Sequence, residues 1–182
     1  MNDRIRPFRP ESLPAEPRAV YERILSERGY VPGPYQFWLA APEFANRIER
    51  VEAHLRYDAS LDQGQIELVV LYVAHHWWAQ YVWSSHAPAA LKAGLEPAAI
   101  EALRAGHEPT LARERDRTVF ELCRALLIER DVPDELWWRA GEVVGERGIN
   151  EVVGLIGLYT SVCLTMVGYR MPPRDGQPNP FE

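Results

Sequence analysis

The sequence predicts an all-α protein. Three observations carry that expectation. Apolar residues recur at helical spacing along most of the chain, and the breaks fall at Gly and Pro with capping residues beside them. No stretch alternates apolar and polar residues as a half-buried strand does.

The elements follow in order. Residues 1–14 carry Pro7, Pro10 and Pro14 and read as an extended N-terminal arm. Residues 172–182 carry Pro172, Pro173, Pro178 and Pro180 and read as an extended tail, because proline removes an amide donor and resists helix. Residues 15–171 between them form one helical domain. Glu16 to Glu27 is its first helix, with Ala19, Val20, Ile24 and Leu25 at helical spacing. Residues 29–34 break it, and residues 35–40 form a short helix. Pro42 suits the first turn of a helix running to about Arg56. Asp62 caps a helix over residues 64–75; the next covers residues 79–93 and stops at Gly94. Glu96 and Pro97 open a short helix to Ala105. Helices over residues 113–130 and 134–147 follow, and Gly148 separates the latter from a last helix over residues 150–169.

A length of 182 residues with 47% hydrophobic content suits a single globular domain with a sizeable core. The net charge is −6, with both signs mixed along the chain, which argues against nucleic acid as a partner. Cys123 and Cys163 sit in apolar, helix-like surroundings and read as reduced thiols rather than a disulfide. The segment from Met1 to Pro7 has no apolar stretch to serve as a signal peptide, so the expected location is the cytoplasm. Val152 to Tyr169 is an uncharged run of 18 residues, at the lower limit for a membrane span. Its Gly154, Gly157, Thr160, Ser161, Thr165 and Gly168, with flanks that lack a membrane pattern, favour a helix buried within a soluble protein or its oligomer.

The chemistry-bearing block runs from Glu67 to His86. Glu67 is the only charged residue between Ile66 and Ala74. Burial there is expected to raise its pKa and suit it to carrying a proton; a first-turn glutamate bonded to backbone or an arginine is the plainer alternative. Histidine is the side chain best matched to proton transfer near neutral pH, and His86 is the candidate; a packed core histidine is its plainer alternative. On one straight helix the two would lie roughly 28 Å apart at 1.5 Å per residue. Joint action therefore needs a chain reversal near residues 75–78, where there is no Gly or Pro. His75 and His76 are adjacent, so on a helix their rings point about 100° apart. Trp77, Trp78, Tyr81 and Trp83 either line a pocket for a flat or apolar ligand or simply pack between helices. No metal-ligand motif such as H-E-x-x-H is present, and no metal is expected. A faint echo places a glutamate three residues after a glycine in both Gly64–Glu67 and Gly148–Glu151. It reads as two helix starts, where a first-turn carboxylate favours the helix dipole, rather than as a duplicated hairpin.

The spacing of Glu67, Tyr81, Trp83 and His86 resembles the signature of the carboxymuconolactone decarboxylase family, within the alkylhydroperoxidase-D-like superfamily. Residues 87–95 resemble the segment after the family histidine, residues 151–160 its C-terminal helix, and residues 31–34 its N-terminal region, so the likeness covers roughly residues 12–173. It implies an alkylhydroperoxidase-D-like helical bundle whose motif helices turn back on each other, and a homo-oligomer that is a dimer, trimer or hexamer. Two departures stand out. Peroxide-reducing members carry two cysteines where this chain has Ala79 and Val82, so the thiolate nucleophile is missing from its place. Val82 also replaces the motif glutamate between Tyr81 and Trp83.

The resulting expectation is a cofactor-independent enzyme that decarboxylates, isomerises or hydrolyses a small cyclic acid or lactone. His86 is its general acid or base, Glu67 orients His86, and Tyr81 donates a hydrogen bond to a developing enolate-like oxygen. Trp83, His75, His76 and Trp78 are the expected substrate contacts. Alternatives are a non-catalytic oligomeric small-molecule-binding protein and, against the missing cysteine pair, a peroxidase-type antioxidant protein.

Overall fold

The computed structural model describes residues 3–6 and 8–182; Met1, Asn2 and Pro7 of the expected arm and leader reading lie outside the described residues. Among the described residues every regular element is helical, as the all-α expectation requires. The helices are α1 (Ala15–Arg28), α2 (Tyr35–Trp38), α3 (Pro42–Ala53), α4 (Gln63–His76), α5 (Gln80–Lys92), α6 (Pro97–Arg104), α7 (Glu114–Arg124), α8 (Asp134–Val143) and α9 (Gly145–Gly168). One π-helical turn, His54–Asp58, continues α3, and another, Ala125–Glu129, continues α7.

Helix α4 is the centre of the bundle. Ile66, Leu68, Val69, Val70, Leu71, Val73 and Ala74 are all buried, and a helix apolar on every side has to be covered on every side. Helices α5, α9, α7 and α6 supply that cover. A capping box starts α4: Asp62 Oδ1 accepts from the Gln65 amide at 3.0 Å, and Gln65 Oε1 accepts from the Asp62 amide at 3.1 Å. Pro42 and Pro97 open α3 and α6 in the first turn, where an amide hydrogen is not needed.

The reversal between α4 and α5 takes three residues and uses neither Gly nor Pro. The Ala79 amide reaches back to the Ala74 carbonyl at 2.9 Å, closing the helix end around Trp78, which adopts φ 50°. Glycine normally takes that left-handed position. A bulky residue there is uncommon and strained, which is why the turn leaves no mark of the usual kind in the sequence.

Two expectations need correction. Gly148 does not separate the last two helices. The break lies at Val144 and Gly145, where Gly145 takes φ 75°, and Gly148 is inside α9 with a Cβ position only 2.8 Å from Val144 Cβ. The echoed glutamates are also not first-turn residues, since Glu67 lies in the second turn of α4 and Glu151 deeper still in α9. Each has specific partners. Glu151 accepts from the Ser60 amide at 2.8 Å and from Arg147 Nε at 2.7 Å, tying α9 to the loop before α4.

The two ends fold onto the bundle. Phe8 packs on Tyr21, and Arg4 donates to the Gly168 carbonyl at 2.8 Å. The tail runs back along α5: Gln80 Nε2 donates to the Met171 carbonyl at 3.1 Å, and the Arg174 amide donates to Ser84 Oγ at 2.7 Å. By length and composition α9 is long and apolar enough to cross a membrane, with 44% of its most apolar window buried inside the chain. Along the opposite side of α9, Val153, Gly157, Leu164 and Val167 are exposed. Their spacing of four, seven and three residues places them on one stripe.

Candidate active site

The reversal at Trp78 brings the two candidate proton carriers into direct contact. Glu67 Oε2 lies 2.7 Å from His86 Nδ1. The other carboxylate oxygen, Oε1, lies 2.8 Å from Arg56 Nη1, and the Glu67 side chain is buried. Burial opposes ionisation of Glu67, but hydrogen bonds and charge from His86 and Arg56 outweigh it and hold the carboxyl below its ordinary range. The expectation that burial raises this pKa is therefore reversed, because the apolar run around Glu67 hides two polar partners that arrive from other elements.

An ionised carboxylate can only accept. His86 Nδ1 therefore carries the hydrogen, and in the neutral ring Nε2 holds the lone pair. The ring is further fixed by an edge-on contact with Tyr159, centroids 5.3 Å apart. Arg56 reaches the site from the π-helical turn that extends α3, and its guanidinium also donates to the Tyr159 hydroxyl at 3.2 Å. Such turns recur at functional sites because the extra residue re-aims a side chain.

His86 and Arg56 wall a cavity of about 430 Å³. Tyr81, Ser85, Glu52 and Tyr159 share its lining. Tyr81 lies against Gly33, where any Cβ would collide with the Tyr81 hydroxyl; the loop before α2 thus needs glycine to let the ring in. Glu52 is held by Arg28 at 3.1 Å and by the Tyr35 hydroxyl at 2.7 Å. Burial, with the carboxylates of Glu52 and Glu67 near, pushes the Tyr159 phenol far up despite Arg56, so it stays protonated. Its oxygen accepts from Arg56, which leaves its O–H to donate.

The remaining sequence candidates lie elsewhere. His75, His76 and Trp78 line a different cavity of about 370 Å³ with Tyr72, His107 and Arg124. Trp83 is buried and packs against Phe181 of the tail. Of the expected residues, the structure thus gathers Glu67, His86 and Tyr81. Arg56 and Tyr159 join them unforeseen: an arginine near a helix end reads as a surface residue, and a tyrosine in an uncharged run reads as core. Among the described residues no group of three or more His, Cys, Asp or Glu is placed to hold a metal ion. Cys123 and Cys163 are free and buried, and burial pushes both thiols well up.

The family model for the carboxymuconolactone decarboxylase family matches residues 42–125. The chain carries a carboxymuconolactone decarboxylase family domain. This domain spans α3 to α7 and contains Arg56, Glu67, Tyr81 and His86. Tyr159 reaches the family domain's cavity from α9, beyond the matched span. No curated protein matches the chain.

Proposed function

We propose that this carboxymuconolactone decarboxylase-like protein performs cofactor-independent acid/base chemistry on a small cyclic acid or lactone, by decarboxylation, isomerisation or hydrolysis. The single observation that supports it most is the contact at 2.7 Å between the cavity-lining His86 and the buried Glu67, with Arg56 on the second carboxylate oxygen. In an isomerisation, His86 Nε2 takes a proton from the carbon next to a carbonyl, and the C–H electron pair moves onto the carbonyl oxygen. Glu67 stabilises the imidazolium that results, and the Tyr159 or Tyr81 hydroxyl donates to the enolate oxygen. The imidazolium then returns the proton at another carbon. In a decarboxylation the C–CO2 bond breaks and supplies the electron pair to the enolate; His86 then enters as the imidazolium and protonates the enolate carbon from Nε2, ending as the neutral ring. Hydrolysis uses the same pair: His86 takes the proton of a water as it attacks the lactone carbonyl, and the imidazolium returns that proton to the ring oxygen as the ring C–O bond breaks, leaving an open hydroxy acid.

The same reading takes the protein as a cytoplasmic homo-oligomer that binds a small-molecule substrate. The exposed apolar stripe on α9 favours self-association. The test is a turnover screen of small lactones and keto acids. The expected result is a substrate whose turnover falls about a hundredfold or more in His86→Gln, and less in Glu67→Gln. Turnover unchanged in His86→Gln overturns the mechanism. Binding without turnover across the screen turns the reading to a non-catalytic binding protein.

A further inference from the structure

The tail beyond α9 does more than cover α5. Proline at 172 and 173 holds the chain extended, and the Arg174 amide is fastened to Ser84 Oγ at 2.7 Å, one helical turn from the Gln80 anchor. Asp175 and Gly176 both take positive φ, 56° and 72°, and turn the chain sharply. The last residues then run over α6, where Arg104 Nη1 donates to the Pro180 carbonyl at 2.6 Å. Phe181 closes the path by packing its ring against His75, Trp78 and Trp83, with centroids 5.5–5.7 Å away. The segment is thus fixed at Ser84, next to the cavity-lining Ser85, and again at the rings of His75, Trp78 and Trp83. Arg174, whose amide makes the first of these anchors, lines the His86 cavity.

The charge of this arginine is not consumed by the wall. Glu52 is matched by Arg28 and Glu67 by Arg56. The ion pair of Arg174 is with Asp175 at 3.4 Å, and both side chains are more than half exposed, so that pair binds its members weakly. An arginine fork at the mouth of a cavity whose other charges cancel is suited to a carboxylate, which it meets with two parallel hydrogen bonds.

We infer that Arg174 is a specificity-determining residue that binds a carboxylate of the substrate at the cavity mouth, and that Phe181 is the positioning residue that straps it there. This rests on the proposed use of the His86 cavity for a small acid. It is independent of whether the bound acid reacts.

The test reads binding alone, with 4-fluorophenylacetate and its neutral amide 4-fluorophenylacetamide as probes followed by fluorine NMR. The native chain is expected to bind the carboxylate about tenfold more tightly than the amide. Arg174→Gln should erase that preference while leaving amide affinity unchanged. Phe181→Ala should weaken the preference and Phe181→Leu should restore most of it. Circular dichroism checks that each variant remains folded; Arg174 is largely exposed, so its replacement leaves the core alone. Equal affinity for the two probes, no binding of either, or a preference that survives Arg174→Gln overturns the inference. A normal preference with no turnover of any substrate would instead count against the acid/base reading and leave the role of Arg174 standing.

Discussion

Arg56 meets Glu67 at 2.8 Å on the carboxylate oxygen that His86 leaves free. The two come from different elements, and neither side chain has more than a small exposed fraction. Arg56 thus neutralises the buried carboxylate and fixes its rotation, which in turn sets the plane of the imidazole. Arg56→Met should lower unfolding free energy by about 3 kcal/mol, because it leaves a buried charge short of a partner. Urea denaturation measures this. A loss no larger than that of an ordinary surface substitution would show that the pair is dispensable.

Glu67 also makes stability depend on pH with a definite sign. Its folded pKa is held below the ordinary carboxylate value, which is about 4.3. Above that value the carboxylate is ionised in both states and its contribution is fully present. As pH falls through the window down to the folded pKa, the unfolded chain binds the extra proton and the contribution is lost. Urea midpoints taken from neutral pH into the acid range should therefore fall less steeply for Glu67→Gln than for the native chain. Parallel curves would refute the linkage.

Peroxide should not be turned over by a thiol mechanism. Ala79 and Val82 stand where the peroxide-reducing relatives place their cysteines, and both are buried. Cys123 and Cys163 lie on α7 and α9, with burial disfavouring the thiolate that such chemistry needs. Peroxide consumption with a dithiol reductant is expected to match the blank, in the native chain and in a Cys123→Ser, Cys163→Ser double variant alike. Rapid consumption lost in the double variant would move the redox centre to these cysteines.

The outer stripe of α9 makes a prediction about mass. Val153, Leu164 and Val167 are each about half exposed on one side of a long helix. Light scattering should return a multiple of the 20.8 kDa chain, and Leu164→Glu combined with Val153→Glu should return the chain mass itself. A native chain that scatters as a single copy at every practical concentration would remove the stripe as an interface.

The helices were largely legible from sequence because their signals are local. Pro42, Asp62 and Pro97 act within a turn of where they stand, and the apolar run of α4 demands a central position whatever surrounds it. The α4–α5 turn was not legible, because Trp78 takes a conformation that normally advertises itself through glycine. The site divides in the same way. Glu67, Tyr81 and His86 could be named from their spacing, but their juxtaposition depends on that turn. Arg56 and Tyr159 were hidden because their roles depend on three-dimensional neighbours from α3 and α9, and nothing in their local composition distinguishes them from a surface arginine and a core tyrosine. The direction of the Glu67 shift is not legible for the same reason, since a sequence window contains the desolvating neighbours but not the distant cations.

The π-helical turn at residues 54–58 makes the site sensitive to chain length as well as to composition. Such a turn holds one more residue than the α-helix it interrupts. Removing a single residue there would let α3 run on as an ordinary helix, with every residue past the gap rotated by about 100°. Arg56 would swing off Glu67 and Tyr159 with no change in its own identity. A one-codon deletion could thus disarm the carboxylate while leaving all the catalytic candidates in the sequence, so that the presence of Glu67, Tyr81 and His86 in a related chain would not by itself establish a working constellation.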